Sequence, residues 1–152
     1  MPIKRLTKKE ETDRYLAKRL ELINKAIAYN LCYVAEQVLN AARSADSSSS
    51  AKPYKDQTGN LRSSTGYVVV QDGRIIQESS FEVVKDGKDG TVNGKEFAEQ
   101  LVREFPTGYA LIVVAGMNYA SYVTDKGYDV LDSAELLARK LVPQMLKRLK
   151  LK

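Results

Sequence analysis

The sequence predicts an α+β fold, in which a long N-terminal helix and a C-terminal helix pack on a mostly antiparallel sheet of about four strands. Three observations lead to this prediction. Apolar side chains recur at helical spacing over residues 7–43 and again from residue 132, and short apolar runs separated by turn signals lie between them. With 152 residues, the chain is expected to form a single domain, 1–152.

The first helix is predicted over about residues 7–43. Thr7 and Glu10 have the spacing of a capping box at its start. Its apolar stripe consists of Leu16, Leu20, Ile23, Ile27, Leu31, Val34, Val38 and Ala41. At 1.5 Å per residue the helix would be roughly 50 Å long. Because that exceeds what one sheet needs for cover, part of the helix is expected to project or to pack on a neighbouring subunit.

A flexible loop is predicted over residues 44–57, which are rich in serine and closed by proline, and the α+β core is predicted over 58–152. In that core, Asp72-Gly73 predicts a two-residue hairpin turn, because both turn positions need positive φ. The simplest register pairs Ile75 with Val70 and Ile76 with Val69. Both faces of this hairpin are apolar, so one should meet the helix and the other something else, such as a second subunit.

A third strand is predicted over 81–85, followed by a surface hairpin turn, and a helix capped by Asn93 comes next. Residues 109–116 predict a buried strand. The last helix is predicted to begin at Asp132, and Pro143 should kink it or divide it in two.

The stretch between that buried strand and the last helix contains three tyrosines. Tyr119, Tyr122 and Val123 have helical spacing, and Gly127 is a suitable helix stop. We expect Tyr119 and Tyr122 to pack inward on the preceding strand, and Tyr128 to be the tyrosine that meets another chain.

Composition restricts the chemistry of this chain. It contains no histidine and one cysteine, Cys32, which excludes Ser-His-Asp and Cys-His catalysis and zinc sites of Cys/His type within the chain. No residue pattern predicts a catalytic, cofactor or metal site, and the first residues lack an apolar run, so no secretory signal is expected there. An enzyme whose carboxylates meet only in the folded chain remains an alternative, and it would need a deep polar cleft.

Charge and aromatic content leave a nucleic-acid-binding module open as a second alternative. The net charge is +5, and no acidic residue follows Glu135 in the chain. The final residues carry a cluster of cations, namely Arg139, Lys140, Lys147, Arg148, Lys150 and Lys152. Nine of the twelve aromatic residues are tyrosine, a side chain that suits protein interfaces and also stacks on single-stranded bases.

Two short motifs resemble a known family. The first, "TGNLRSS", begins at Thr58 and leads into an apolar strand, and the second, "YASYV", begins at Tyr119 and is followed by Gly127. With the C-terminal helix, this arrangement resembles the tail-completion or head–tail joining proteins of long-tailed bacteriophages, often described as minor tail components. The resemblance covers roughly residues 10–150 in the order of elements.

The resemblance implies a non-enzymatic structural protein of a phage or prophage. Such proteins form homomeric rings between the connector of the head and the tail tube, with DNA passing through the ring, and they act in the virion neck after assembly in the cytoplasm of the bacterial host. It implies no cofactor and no membrane partner. The motif residues, which are also the candidate interface residues, are Gly59, Leu61, Arg62, Tyr119, Ala120, Tyr122, Val123 and Gly127, and Tyr128 joins them as a candidate contact.

Overall fold

The computed structural model describes residues 6–43, 52–53 and 58–149. Most of the predicted flexible loop, and the last two lysines of the basic cluster, lie outside these residues. The elements in chain order are α1 (Lys9–Arg43), β1 (Lys52–Pro53), α2 (Asn60–Ser63), β2 (Thr65–Gln71), β3 (Arg74–Glu78), α3 (Lys88–Val102), β4 (Tyr109–Ala115), α4 (Ala120–Asp125), β5 (Tyr128–Asp129) and α5 (Asp132–Arg148).

The main sheet is antiparallel and has three strands in the order β3-β2-β4. Helices with such a sheet confirm the predicted α+β class. The short strands β1 and β5 form a separate parallel pair, in which Lys52 is opposite Tyr128. In the part of the chain that the structure describes, no fourth strand joins the main sheet.

The central strand β2 is covered on both faces by helices of its own chain. Tyr67 and Val69 are buried in a cluster with side chains of α1 and α5. Val68 and Val70 point the other way and are buried with Ala98 of α3. Helix α3 is therefore what meets the second face of β2, whereas Ile75 and Ile76 on β3 are 37% and 40% exposed, and a second subunit at that part of the hairpin stays a prediction.

The predicted strand over 81–85 has no strand partner in the sheet, because its backbone groups bond elsewhere. The Val84 N–H donates to the Ser63 Oγ at 2.7 Å, so the backbone is tied to the end of α2. The preceding strand β3 already ends at Glu78. The next residue, Ser79, bonds both backbone groups of Tyr67 through its own N–H and its hydroxyl oxygen. Phe81 instead packs its ring beside the buried cluster under α3.

Helix α3 begins at Lys88, five residues before the predicted cap at Asn93. The segment predicted as a surface hairpin turn after residue 85 therefore leads into this helix. Gly90 and Gly94 lie inside the helix and are buried against α2 and the residue that follows it. A Cβ on Gly90 would lie 2.0 Å from the Asn60 carbonyl oxygen, and one on Gly94 would lie 2.4 Å from that of Ser64. Glycine has low helix propensity, but this close backbone contact requires it.

The local predictions about the first and last helices have different outcomes. The long first helix is confirmed, although Lys8 accepts its first backbone bonds, so the Thr7 cap is wrong. Its buried residues begin only at Leu31, and the segment before them is largely exposed, in agreement with a projecting part. Helix α5 begins at Asp132 as predicted and continues through Pro143, so the proline does not divide it.

The β2–β3 hairpin follows its prediction at the turn and departs from it beyond a bulge. Asp72 and Gly73 have φ values of 50° and 77°, as the predicted turn requires. Val70 pairs with Ile75, but a register shift follows, and Val69 pairs with Gln77 rather than with Ile76.

Replacing Ser79 by alanine tests the bonds that end β3. The buried Ser79 Oγ accepts a 2.9 Å bond from the Tyr67 N–H, and its own N–H donates to the Tyr67 carbonyl. Ser79→Ala leaves the Tyr67 N–H without that acceptor, and we expect the free energy of unfolding to fall by about 1–3 kcal/mol in urea titrations. Ser80→Ala is the matched control, because the exposed Ser80 hydroxyl bonds only the exposed Glu82 carboxylate among described residues. Equal losses in the two variants would contradict this account.

Candidate functional site

The first motif forms a tight backbone corner around α2. Gly59 has φ of 83°, and a Cβ there would lie 1.9 Å from the Val84 carbonyl oxygen. The Asn60 Oδ1 accepts a 3.1 Å bond from the Gly90 N–H at the start of α3. The motif therefore joins α2, the segment at Val84 and α3 through contacts that leave no room for a larger residue than glycine at position 59.

The second motif packs directly on the first. Leu61 is buried in a cluster with Ala115 and Val130, and Ala120 and Val123 of α4 pack against that cluster. Gly127 has φ of 83° and ends the helical turn as predicted. The two motifs that carry the family resemblance are far apart in the sequence, and the structure brings them together around Leu61. Arg62 lies half-buried beside them in α2.

The predicted inward packing of Tyr122 is wrong, and the contact of Tyr128 with another chain stays a prediction. Tyr122 is 61% exposed, whereas Tyr119 and Tyr128 are 37% and 38% exposed, so Tyr122 and not Tyr128 is the most accessible of the three. The reason lies in the helix geometry, because Ala120 and Val123 occupy the inward face of α4. The Lys126 Nζ lies 5.2 Å from the centre of the Tyr122 ring, which is a cation–π distance.

The described residues contain no group of three or more His, Cys, Asp or Glu side chains placed to hold a metal ion. Burial, with a smaller effect of the Glu36 charge, raises the pKa of the half-buried Cys32 thiol. A thiol held in its protonated form is a poor nucleophile. Cys32 is therefore better explained as part of the packing of α1 on the sheet.

A hydrogen-bonded cluster around the buried Tyr67 hydroxyl lies close to Cys32. The Tyr67 hydroxyl donates to the Glu36 carboxylate and accepts a 3.1 Å bond from the Gln77 Nε2. Burial first, and then the bond to Glu36, raise the pKa of Tyr67 to about 12. This cluster ties α1 to the edge strand β3, and the phenol stays protonated at neutral pH.

A large apolar groove, which sequence reasoning did not find, lies between α1, β4 and α5. Its volume is about 820 Å³. Its walls include Ile27 and Leu31 from α1, Leu111 from β4, and Ala138 and Leu146 from α5. The groove depends on the spacing of two helices that are distant in the sequence, so periodicity alone could not reveal it. One signal was present, since Leu146 lies outside the apolar stripe at helical spacing that Leu137, Leu141, Met145 and Leu149 form in the last helix.

The polar groups at the groove form pairs with one another. The Arg139 Nη2 lies 2.6 Å from the Glu135 Oε1, and the Tyr109 hydroxyl donates to the Asn24 Oδ1 at 2.8 Å. Glu135 is the sole carboxylate among the described residues that line the groove. A groove with these walls is suited to apolar side chains, and it lacks the paired acids that an enzyme with carboxylate chemistry needs.

The outer face of α1 carries an unusual set of exposed apolar side chains. Tyr15, Leu22 and Tyr29 follow one another at steps of seven residues, with Tyr33 one turn further, and all four are at least 60% exposed. Leu16 and Leu20 are also more than half exposed. Aromatic and leucine side chains exposed along one helix are typical of a surface that meets another protein.

Comparisons of the chain with protein-family models, with curated proteins and with solved structures found no match. Among the described residues, no helix combines the length and apolar character that a membrane span needs. The function is therefore argued from the joined motifs, the apolar groove and the exposed face of α1.

Replacing Gly59 by alanine tests the corner formed by the first motif. The left-handed φ costs an alanine about 1–2 kcal/mol, and the displacement of Val84 should add about 1–3 kcal/mol. Gly108→Ala is the matched control, because Gly108 has φ of 76° and nothing lies within 4 Å of its Cβ position. We expect the loss in unfolding free energy to be larger for Gly59→Ala. Similar losses would show that the contact with Val84 does not matter.

The raised pKa of Tyr67 predicts a loss of stability at alkaline pH. The folded-state pKa of about 12 exceeds the ordinary tyrosine value of about 10. The folded protein therefore binds the proton more tightly, and this contribution is complete below pH 10 and is lost as pH rises to about 12. We expect Tyr67→Phe to lack that part of the decline in unfolding free energy. Tyr29→Phe, at an exposed position, should keep it, and parallel curves for the wild type and Tyr67→Phe would refute the assignment.

Proposed function

We propose that this chain is a non-enzymatic structural protein of a tailed phage or prophage, which joins the connector of the head to the tail as a homomeric ring. The observation that carries the proposal is the exposed apolar face of α1 formed by Tyr15, Leu22, Tyr29 and Tyr33. A face of this kind has a free-energy cost in water that association with another protein removes. The resemblance of the two motifs to tail-completion proteins is the basis for proposing a ring between head and tail as the assembly.

The arrangement of the motifs supports a structural role for them. Gly59 and Leu61 fix the backbone corner, and Val123 packs on the cluster that contains Leu61. This rigid corner holds α4 in place, so that Tyr122 extends from the surface next to Lys126. In the proposed assembly, the corner presents this tyrosine to a neighbouring subunit or to a protein of the connector or tail tube.

Basic residues of α5 support a contact with the DNA that passes through such a ring. Lys140, Lys147 and Arg148 are exposed, and no acidic residue follows Glu135 in this helix. Cations placed along a channel attract the phosphate backbone without reading its sequence. The same observation favours the second candidate function, a small nucleic-acid-binding module that acts outside a virion.

The test of the first function uses the phage or prophage that encodes the chain. Deleting the gene should give separate heads and tails in electron micrographs and no infectious particles, and the plasmid-borne gene should restore joining. In vitro, light scattering should detect an oligomer of the chain, alone or after mixing with the connector or tail-tube protein. A strict monomer that binds neither protein, together with normal virions from the deletion strain, would reject the proposal.

A salt titration distinguishes the second function. A nucleic-acid-binding module should bind DNA or RNA at low salt, and the logarithm of its affinity should fall linearly with the logarithm of salt concentration. Lys147→Gln combined with Arg148→Gln should reduce that slope by about two. Absence of binding at low salt would remove this alternative and would leave the joining function unaffected.

A further inference from the structure

Strand β4 lies at one edge of the main sheet, and no described residue pairs with its outer edge. The Gly116 N–H donates to the Ser64 carbonyl, and the Asp72 N–H donates to the Gly108 carbonyl. Because the register between these bonds is regular and antiparallel, the even-numbered residues of β4 bond β2. The odd-numbered residues point their backbone N–H and C=O groups away from β2. Three of them, here called the outer residues, are Tyr109, Leu111 and Val113.

The side chains of the outer residues face an apolar space. All three line the groove between α1, β4 and α5, and all three are half-buried. Their neighbours Ile112 and Val114 point the other way and are buried under α3. The outer residues therefore present apolar side chains in the groove, together with backbone groups that bond no other described residue.

Helix α5 lies where it would cover one more strand. Helix α1 covers β2, with Val38 buried beside Tyr67, and α5 packs against α1 on the side of β4. Packed helices lie about 8–10 Å apart, and neighbouring strands lie about 4.8 Å apart. Helix α5 is therefore about two strand spacings from β2, above the position next to β4.

Helix α5 has a second apolar face, which is directed at this position. Ala138, Val142 and Leu146 recur at steps of four residues and line the groove. Ala134 and Met145 are instead buried with side chains of α1. Leu146 is 51% exposed, although it belongs to the helix layer that covers the sheet. Among the described residues, no strand lies beneath this second face.

The opposite side of the same position is apolar as well. Lys95 and Phe97 of α3 are two residues apart, so they point to opposite sides of the helix. The Lys95 Nζ lies 3.8 Å from the Glu78 Oε1 on β3, which places Phe97 on the side of β4. Phe97 is 41% exposed. A strand beside β4 would thus meet apolar side chains on both of its faces, as β2 does.

We propose that the outer edge of β4 binds a free extended arm of a partner protein as a fourth strand. The regularly spaced N–H and C=O groups of a strand edge are satisfied in order by another extended backbone. Apolar side chains at alternate positions of the arm would enter the groove and contact α5. The sheet would then have four strands, and the second apolar face of α5 would be covered.

Charge indicates that the arm is neutral along the groove. The Arg139 Nη2 lies 2.6 Å from the Glu135 Oε1, so the two charged residues of the groove neutralise each other. Lys140 and Lys147 are two and nine residues from Ala138, which places them on the opposite face of α5. The cations of α5 therefore do not attract the arm, and its binding should depend little on salt.

A free arm fits this position better than an edge strand of a second copy. In a second copy, β4 contributes Leu111 to the cluster that contains α1. Strand β3 is joined to α1 as well, because the Tyr67 hydroxyl bonds both Gln77 and Glu36. Either strand would bring that copy's α1 against α5, which already occupies the layer above. An arm without a covering helix of its own avoids this overlap.

The test uses the full-length chain and the synthetic peptide Val-Thr-Val-Thr-Val-Thr-Val, labelled with fluorescein, and fluorescence anisotropy measures binding. Leu146→Gln places a polar side chain in the groove and should weaken binding by about tenfold or more. Leu136→Gln is the matched control, because Leu136 is 69% exposed and does not line the groove, and its affinity should equal that of the wild type. Circular dichroism verifies that both variants keep the helical content of the wild type.

Two further peptides test the backbone bonds. One carries N-methyl groups on every valine, and the other carries them on every threonine. Alternate N–H groups of an added strand point toward β4, and the others point away from it. One N-methylated peptide should therefore lose about tenfold or more in affinity, while the other should bind nearly as well as the unmodified peptide. Equal affinities of the two would contradict strand addition.

Hydrogen exchange measured by NMR locates the contact. In the free protein the amides of Leu111 and Val113 should exchange quickly, whereas that of Ile112 should exchange slowly because it bonds β2. The unmodified peptide should slow exchange at Leu111 and Val113 and leave Ile112 unchanged. If Leu111 and Val113 already exchange as slowly as Ile112 without peptide, the edge is not free, and the proposal is overturned.

The remaining outcomes separate this site from the joining function. No binding of the unmodified peptide, or equal weakening by Leu146→Gln and Leu136→Gln, would overturn the site and leave the joining function intact. Binding at β4 together with normal virions after gene deletion would reject only the joining function. The site goes beyond that function, because the edge and the groove define it, whichever assembly supplies the arm.

Discussion

The structure depends on the burial of β2 on both faces. Six consecutive residues from Thr65 to Val70 are buried, so this strand has no face left for water. One set of alternate side chains requires α1 and α5, and the other requires α3. A strand with this pattern cannot be stable in an isolated hairpin, and the helices must be in place on both sides before the sheet has a core.

Glycine makes the second of these layers possible. Helix α3 reaches the sheet and α2 because Gly90 and Gly94 allow its backbone to touch that of Asn60 and Ser64. The same kind of contact fixes Gly59 against Val84. These approaches order the corner in which α2, α3 and α4 meet, and the corner sets the position of the exposed tyrosine on α4. The same glycines therefore determine how the helices pack and where the exposed tyrosine on α4 lies.

Elements determined by local signals were predictable from the sequence. The long first helix has a regular apolar stripe, and the turn at Asp72-Gly73 has a backbone conformation that few other pairs accept. The strand predicted over 81–85 was wrong, because these residues form a loop. The backbone of this loop bonds Ser63, and that contact joins distant parts of the chain. The start of α3 was missed for a related reason, since its glycines oppose helix formation locally and are required by tertiary contact.

The candidate site was predictable only in part. The two motifs marked the residues around Leu61, but their meeting in one cluster, the exposure of Tyr122 and the groove beside α5 all require the folded chain. An apolar residue such as Leu146 has the same sequence signature whether it is buried or lines an open groove. Periodicity identifies a helix face, but it does not identify what covers that face.

The continuity of α1 has a consequence for how fast and how tightly it can bind. Helix formation is cooperative and its nucleation is the costly step. The part of α1 from Leu31 onward is packed in the core and supplies that nucleus, so the longer, largely exposed part before it extends an existing helix at little further cost. A partner that binds this exposed part therefore meets a surface that is already ordered, and association does not have to supply the conformational entropy of folding it.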